Sequence, residues 1–260
     1  MTEDRDVKHV AVTTDEKVAT IRFARPPLNI LNLEMMREIS AALDECAKDG
    51  NVRVAVIRSG VDGVFSAGAD VREHLPERVE ELIRTMGALV WRILTYPRAT
   101  LCVVQGKCLG GGMELAMACD FVLATPEAVF GQPEVKLGVY PPVALALLPH
   151  LVGLRATHDI VLTGRNIPAE EAARMGLVTR VVAEDDLEPN VLELGKALAA
   201  NSRIVVELAK RGIREGLDLK TEEALRHSSE LYLKDLMATQ DALEGLKAFL
   251  EKRKPEWKDR

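Results

Sequence analysis

Aromatic side chains are scarce in this chain: Phe, Trp and Tyr together make up 4% of 260 residues, while 47% are hydrophobic. That balance is the one expected of an ordinary soluble globular protein. Positive charge is also in deficit. The formal net charge of −6 argues against a nucleic-acid footprint, though it leaves room for a local basic site for an anionic small molecule. Cysteine pairs are missing. Cys46, Cys102, Cys108 and Cys119 form no CxxC and sit among apolar residues. Small buried thiols in a reducing cytoplasm are the expectation, with no disulfide, redox pair or metal site. The five histidines (His9, His74, His150, His158, His227) are scattered without ligand spacing and read as structural or surface residues. No apolar run reaches the roughly 20 residues that span a membrane. The opening "MTEDRDVKHV" is polar and mixed in charge, unlike a signal peptide. A cytoplasmic protein with no membrane partner is therefore expected.

Familiar phosphate and nucleophile motifs are absent too. GxGxxG does not fit. GxxxxGK[ST] fails because Gly106-Lys107 precedes the glycines, and GxSxG fails because Val64 stands where glycine is needed.

What the sequence does contain is alternation of strand-like and helix-like segments. Residues 9–15 and 18–25 alternate with period two and predict a hairpin with its turn at 15–16. Apolar spacing predicts helices over 33–48, 78–95 and 111–119. Strands are predicted at 52–60 and 99–106, with two short ones around Pro126 in 120–131. Strand–helix–strand order with continuously apolar strands implies parallel crossovers covered by helices. After Pro149 the segments 151–162, 169–175, 187–200, 202–215, 221–236 and 240–252 all read as helices. The division expected is a core over 1–200 and a helical oligomerisation region over 201–260.

Three loops are candidates for chemistry. "VFSAGADVREH" places Ser66, Ala67, Gly68 and Ala69 between a strand and a helix. Small residues there let backbone N–H groups approach a ligand, although a tight turn alone would look the same. "GKCLGGGMELAMACD" puts Gly110, Gly111 and Gly112 where a helix starts. The free N–H donors of that first turn can face a developing oxyanion, or the glycines can serve only close helix–strand packing. "FGQPEVKLGVYPP" carries Glu134 at a strand exit. Glu114 lies among Met113, Leu115, Ala116 and Met117, so a half-buried carboxyl is expected there. Such a group must be hydrogen-bonded, paired or shifted in pKa. Asp70 reads as a helix cap and Asp120 as a strand-start or turn residue. Trp91, Met35, Met36 and Met86 read as core or pocket wall. Two N–H donors and two carboxylates converging on one carbonyl describe enolate chemistry with acid–base movement of a proton or water.

The ordered set "FSAGAD", "GxxLGGGxELAxxCD" and "FGQPExxLG" resembles the crotonase (enoyl-CoA hydratase/isomerase) superfamily. "ARPPLNIL", "LTGRNIPAEEAARMGLVTRVV" and "DALEGLKAFLEKRKPEW" extend the resemblance along the whole chain. The resemblance implies an α/β fold, a crotonase-like spiral of ββα units with a C-terminal helical trimerisation region, assembled as a homotrimer or a hexamer of paired trimers. It implies that the N–H groups of Ala69 and Gly111 form an oxyanion hole. Glu114 and Glu134 match the two acids that hold the water, Glu134 being the usual proton donor. Backbone at Ser66, Ala67 and Ala69 would meet coenzyme A, with Arg25 and Arg72 at its phosphates. Phe249 and Lys252 match positions that complete a neighbouring subunit's coenzyme A site. Met86 and Tyr140 are candidates for the substrate pocket. No cofactor or metal is implied, since the coenzyme A thioester is itself the substrate. Where typical short-chain members carry "PGxGGTQRL", this chain has "VYPPVALALLP". With "ARPPLNIL", that segment resembles the cyclohexa-1,5-diene-1-carbonyl-CoA hydratases, which form 6-hydroxycyclohex-1-ene-1-carbonyl-CoA. A general enoyl-CoA hydratase, an isomerase and a non-catalytic acyl-CoA-binding protein are the alternatives.

Overall fold

The computed structural model describes residues 9–260; the polar segment 1–8 lies outside the described residues. In chain order the first half runs β1 (Val10–Asp15), β2 (Val18–Phe23), α1 (Leu33–Lys48), β3 (Val54–Ser59), β4 (Val64–Ser66), α2 (Val79–Leu94), β5 (Ala99–Val104) and β6 (Lys107–Leu109). It continues with α3 (Gly111–Met117), β7 (Phe121–Ala124), β8 (Val129–Gly131), α4 (Pro142–Thr163), β9 (Asn166–Pro168), α5 (Ala169–Arg174) and β10 (Arg180–Val181). The chain finishes with α6 (Leu187–Ala199), α7 (Arg203–Gly216), α8 (Thr221–Leu231) and α9 (Gln240–Leu250).

The strands form two sheets, of order β1-β2-β3-β5-β7-β10 and β4-β6-β8-β9. In the first, β1 and β2 form the antiparallel hairpin, and Glu16 and Lys17 at its turn both have positive φ (42° and 74°). That pair of dihedrals matches the right-handed twist of the strands. β2, β3, β5 and β7 then run parallel. β5 is buried along its whole length, which is why "ATLCVV" is continuously apolar instead of alternating. Helix α1 packs Leu33, Met36, Ile39 and Leu43 inward, and Asn32 caps it by accepting from the Met35 N–H at 3.0 Å. All four cysteines are free thiols; three are buried and Cys119 half-buried.

Several elements differ from the sequence reading. The loop expected over 65–71 begins inside strand β4. The 151–162 helix starts nine residues earlier, at Pro142, and contains Pro149; it kinks at Gly153 (φ 78°, ψ 163°). Proline is well suited to a first helical turn, where its missing N–H costs nothing. By length and composition alone α4 is apolar enough to cross a membrane. His150, Arg155, His158 and Asp159 interrupt it, so the sequence shows no single apolar run. The 221–236 segment divides into α8 and a wider turn over Tyr232–Leu236.

The tail returns to the sheet. Asp259 pairs with buried Arg53 at 2.6 Å and accepts from the Arg203 N–H at 2.9 Å, while Trp257 Nε1 donates to the Ala200 carbonyl at 2.7 Å. Asp241 carries the Ser202 hydroxyl and the N–H groups of Lys258 and Asp259. Asp120, just before β7, accepts from the Thr100 N–H and from Lys210 Nζ, which ties α7 to the sheet. Replacing Asp259 by Ala leaves the Arg53 guanidinium buried without its counter-charge. A loss of roughly 3 kcal/mol in denaturant unfolding is expected, against no more than a few tenths for Glu256→Ala at the exposed neighbouring position.

Candidate active site

The second sheet brings the three candidate loops together. β4, β6 and β8 are parallel neighbours of three residues each. Their carboxyl ends therefore lie at one edge, the usual position for a ligand in parallel α/β structure. From β4 the chain leads to Ala69, from β6 to the glycine triplet and α3, and from β8 to Gln132, Pro133 and Glu134. A cavity of about 550 Å³ opens there, lined by Ala67, Gly68, Ala69, Met86, Gly110, Gly111, Glu114, Glu134 and Tyr140, with apolar walls from α2 and from Leu137–Val143.

The two backbone amides are held side by side. Leu31 N–H donates to the Gly68 carbonyl and Asp70 N–H donates to the Leu31 carbonyl, each at 2.9 Å. That bridge points the Ala69 N–H the opposite way. A Cβ on Gly111 would stand 3.3 Å from the Ala69 nitrogen and 2.8 Å from Met86 Cε. The Gly111 N–H belongs to the first turn of α3 and has no helical acceptor. Gly110 is needed for a different reason. Its φ is +50°, and a Cβ there would lie 2.5 Å from Glu134 Oε1. Glycine thus leaves the volume in which the Glu134 carboxyl sits.

Glu114 is 4% exposed. Its Oε1 accepts from the N–H groups of Val143 and Ala144, both at 3.1 Å. These are donors of the first turn of α4, where Pro142 has no N–H to offer and the Leu145 N–H is taken by the Pro141 carbonyl. A carboxylate at a helix start is favoured electrostatically. Burial opposes this and is the larger effect: together with the nearby Glu134 charge it pushes Glu114 up to about 7. Burial raises Glu134 as well. With its amide oriented to satisfy both groups, the fully buried Gln132 donates to Glu134 Oε2 at 3.1 Å and Oε1 at 3.3 Å. Gln132 is a site residue that the sequence reading passed over. The available signal was a polar amide between the apolar strand β8 and the Pro-Glu step.

Two amides and two titratable carboxyls facing one cavity suit proton or water movement beside a polarised carbonyl. The profile of the enoyl-CoA hydratase/isomerase family matches residues 13–260. The chain belongs to that family. The chain is 36% identical over 260 residues, the full length of both proteins, to the cyclohexa-1,5-dienecarbonyl-CoA hydratase of Thauera aromatica. It is 39% identical over 257 residues to a "probable enoyl-CoA hydratase" of Rhizobium meliloti, covering 96% of this chain and 97% of the relative. The crystal structure of an enoyl-CoA hydratase from Bacillus anthracis superposes with a TM-score of 0.91 at 31% identity, covering 97% of this chain and all of that one. The architecture is the α/β crotonase fold of these structures.

Around this cavity of an enoyl-CoA hydratase/isomerase family member the remaining expected residues fall into groups. Met86 and Tyr140 line the cavity, as do Ala67 and Ala69. Ser66 does not. It is fully buried, and its hydroxyl accepts from the Gly68 N–H at 3.1 Å, so it does not reach the cavity wall. Arg25 and Arg72 both reach Asp70, at 3.3 and 2.7 Å. Arg72 holds the Asp70 carboxyl near 2, and Asp70 also accepts the Arg72 N–H as cap of the turn Val71–His74. Phe249 and Lys252 sit at the end of α9, Phe249 strongly exposed, and neither lines the cavity of its own chain. His74, read as structural or surface, does line it.

Two outcomes follow from the geometry. Gly110→Ala displaces the Glu134 carboxyl, and a displacement of about 1 Å costs turnover on the order of 100-fold. Enoyl-CoA kinetics with an unchanged circular dichroism spectrum is the check. Glu114 gives a pH signature in stability. Its carboxyl lies at 4.5 ordinarily and about 7 in the fold. The folded protein therefore holds the proton more tightly, and stability is lost as pH rises from about 4.5 to about 7, by roughly 3 kcal/mol. Glu114→Gln keeps the acceptor for Val143 and Ala144 but cannot ionise. Denaturant unfolding should find it more stable than wild type by about that amount at pH 8 and equal at pH 4.

Proposed function

We propose that this member is a hydratase that adds water to a conjugated enoyl thioester. We further propose that its acyl group is the ring of cyclohexa-1,5-diene-1-carbonyl-CoA, giving 6-hydroxycyclohex-1-ene-1-carbonyl-CoA. The observation that carries the reading is the presence of both Glu114 and Glu134 in one cavity with the Ala69 and Gly111 amides. The thioester oxygen sits between the two N–H groups, which stabilise the enolate as charge develops. Water passes one proton to an ionised carboxylate while its oxygen bonds to the β-carbon. A proton is returned to carbon from a carboxyl, so one water is added in all. The chemistry asks for no group beyond the thioester.

The cyclic acyl group rests on the wall. Leu137, Val139, Tyr140, Pro141 and Pro142 give it apolar and stiff surfaces, and the Thauera aromatica relative is a hydratase of that ring. The Rhizobium meliloti relative favours a second reading, a general enoyl-CoA hydratase. Coenzyme A would run past Ala67 toward Arg25 and Arg72. Phe249 and Lys252 would complete a neighbour's site in a trimer or a pair of trimers. An apolar groove of about 510 Å³ between α7 and α8, lined by Leu208, Ile213, Leu225 and Tyr232, supports such assembly.

The test is incubation with crotonyl-CoA and with cyclohexa-1,5-diene-1-carbonyl-CoA, following products by chromatography. Preferential conversion of the diene is expected. Turnover of crotonyl-CoA alone would establish the general hydratase, a shifted double bond without added water the isomerase, and free coenzyme A a hydrolase. Glu114→Gln or Glu134→Gln should remove most hydration, on the order of 100-fold or more, with acyl-CoA binding largely retained.

A further inference from the structure

One buried amide stands outside the cavity and has no part in moving water or protons. Asn29, in the stretch "ARPPLNIL", is fully buried and does not line the cavity. Its side chain has four partners. Oδ1 accepts from the Arg25 N–H at 2.8 Å. Nδ2 donates to the Phe65 carbonyl at 2.8 Å, to the Ser59 hydroxyl at 2.9 Å and, more weakly, to the Phe23 carbonyl at 3.3 Å. Phe23 ends β2, Ser59 ends β3 and Phe65 lies in the middle of β4. The amide thus ties one segment to both sheets at a single point. The backbone of Asn29 has a φ of 51°, a left-handed conformation that asparagine adopts more readily than most residues with a Cβ.

The residues on either side of Asn29 hold the loop that carries Ala69. The Leu28 carbonyl accepts from the Ala67 N–H at 3.0 Å. The Leu31 N–H donates to the Gly68 carbonyl, and the Leu31 carbonyl accepts from the Asp70 N–H, each at 2.9 Å. Leu31 and Ala69 are bridge partners in parallel register. A trans peptide unit is planar, with its N–H and C=O on opposite sides. The Gly68–Ala69 unit gives its carbonyl to Leu31, so its N–H is turned to the other side. A Cβ on Gly111 would stand 3.3 Å from that nitrogen, and Ala69 and Gly111 both line the cavity. The direction of the Ala69 N–H is therefore set by where segment 28–31 lies. Arg25 Nη1 also donates to the Ile30 carbonyl, and Glu73 accepts from the Leu33 N–H. The first of these contacts lies within the segment and the second leads back to the turn after Ala69, whereas Asn29 joins the segment to β2, β3 and β4. Removing its amide takes a donor from buried carbonyls, which is costly, and frees the segment to shift. A hydrogen bond weakens steeply as it bends, so a small shift there is felt at the amide.

We infer that Asn29 is a positioning residue for the oxyanion site: by fixing segment 28–31 against both sheets, it aims the Ala69 N–H at the place proposed for the thioester oxygen. The inference rests on the acyl-CoA reading of the cavity. Its test reads the carbonyl directly, using cyclohexane-1-carbonyl-CoA with carbon-13 at the thioester carbonyl. That probe has no double bond and is not hydrated. Hydrogen bonds to a carbonyl lower its stretching frequency, so isotope-edited infrared spectra should show a downshift when the wild-type protein binds it. Asn29→Gly, which tolerates the positive φ, should keep about half of that shift, because the Gly111 donor remains. Its affinity for the probe should stay within about threefold. With crotonyl-CoA or cyclohexa-1,5-diene-1-carbonyl-CoA, whichever the wild type converts, kcat should fall on the order of 10- to 100-fold with KM little changed. Asp259→Ala weakens the fold without touching the cavity and should leave the bound band at its wild-type position. Ser59→Ala removes one acceptor of the Asn29 amide and should lose a smaller part of the shift; it decides the matter should Asn29→Gly fail to fold. A full wild-type shift in Asn29→Gly, or in Ser59→Ala where that variant decides, overturns the inference and leaves the acyl-CoA reading standing. An equal loss in Asp259→Ala overturns it as well, since the effect would then be a general softening of the fold. No downshift in the wild type overturns the acyl-CoA reading of the two amides, and the inference with it.

Discussion

A carboxyl group in an apolar cavity has to be held by something, and in this chain it is held by the start of α4. The Glu114–Val143–Ala144 contact joins α3 to α4 across the site. It lets the group be buried without a cation beside it. An arginine or lysine in that place would have fixed the charge and drawn the pKa down; two amides support the anion more weakly, and burial prevails. The local sequence follows from this. Pro142 removes one donor from the helix start. The Pro141 carbonyl occupies another, and the two that remain converge on Oε1. The stretch "YPPVA" is thus the piece of wall that holds the acid.

The two sheets divide the labour. The six-stranded sheet has long paired strands, a deep aliphatic core and the ion pairs that bind the C-terminal tail, and it supplies stability. The four-stranded sheet has three-residue strands and supplies placement. Its parallel register is why residues 69, 111 and 134, far apart in sequence, reach one edge. Placement at that precision leaves no spare volume. A Cβ at Gly110 would occupy the room of Glu134, and one at Gly112 would stand 2.7 Å from Ser66 Cβ. The glycine triplet is a packing solution, and the same closeness leaves the Gly111 amide beside that of Ala69.

Long elements with a clear period were legible in the sequence. The hairpin, α1, α2, the buried strands β3 and β5 and the C-terminal helices all announce themselves by spacing of apolar residues. So did the oddity of Glu114, because a carboxyl flanked by Met113, Leu115 and Ala116 has no exposed face to occupy. The short strands β4, β6 and β9 were not legible. Three residues carry no measurable period, and such strands exist only through their neighbours. The start of α4 was not legible, because Pro149 lies inside the helix, where proline usually breaks one. Gln132 and His74 were missed for a common reason. Each acquires its meaning from a partner that sequence does not place beside it, the Glu134 carboxyl in one case and the cavity wall in the other. Ser66 shows the converse: adjacency in a loop suggested a ligand contact, and the fold turned the residue inward.

The unequal surroundings of the two acids bear on how a single water is handled. Burial favours the proton on both acids, the neighbouring charge adds to this at Glu114, and the Gln132 amide opposes it at Glu134. Both carboxyls are thus raised toward the range in which a proton can be held or released beside a ligand. On the hydration reading Glu134 becomes a proton donor only after it has taken a proton from the attacking water. One carboxyl then moves the proton from oxygen to carbon, while Glu114 fixes the water with no net change of its own. For a simple enoyl thioester the two carbons concerned are adjacent. For the cyclic diene, oxygen enters at the β-carbon and the proton at the far end of the conjugated system, across the ring. One carboxyl reaches both only if the ring lies flat against it, and the stiff surfaces of Pro141 and Pro142 line the same cavity.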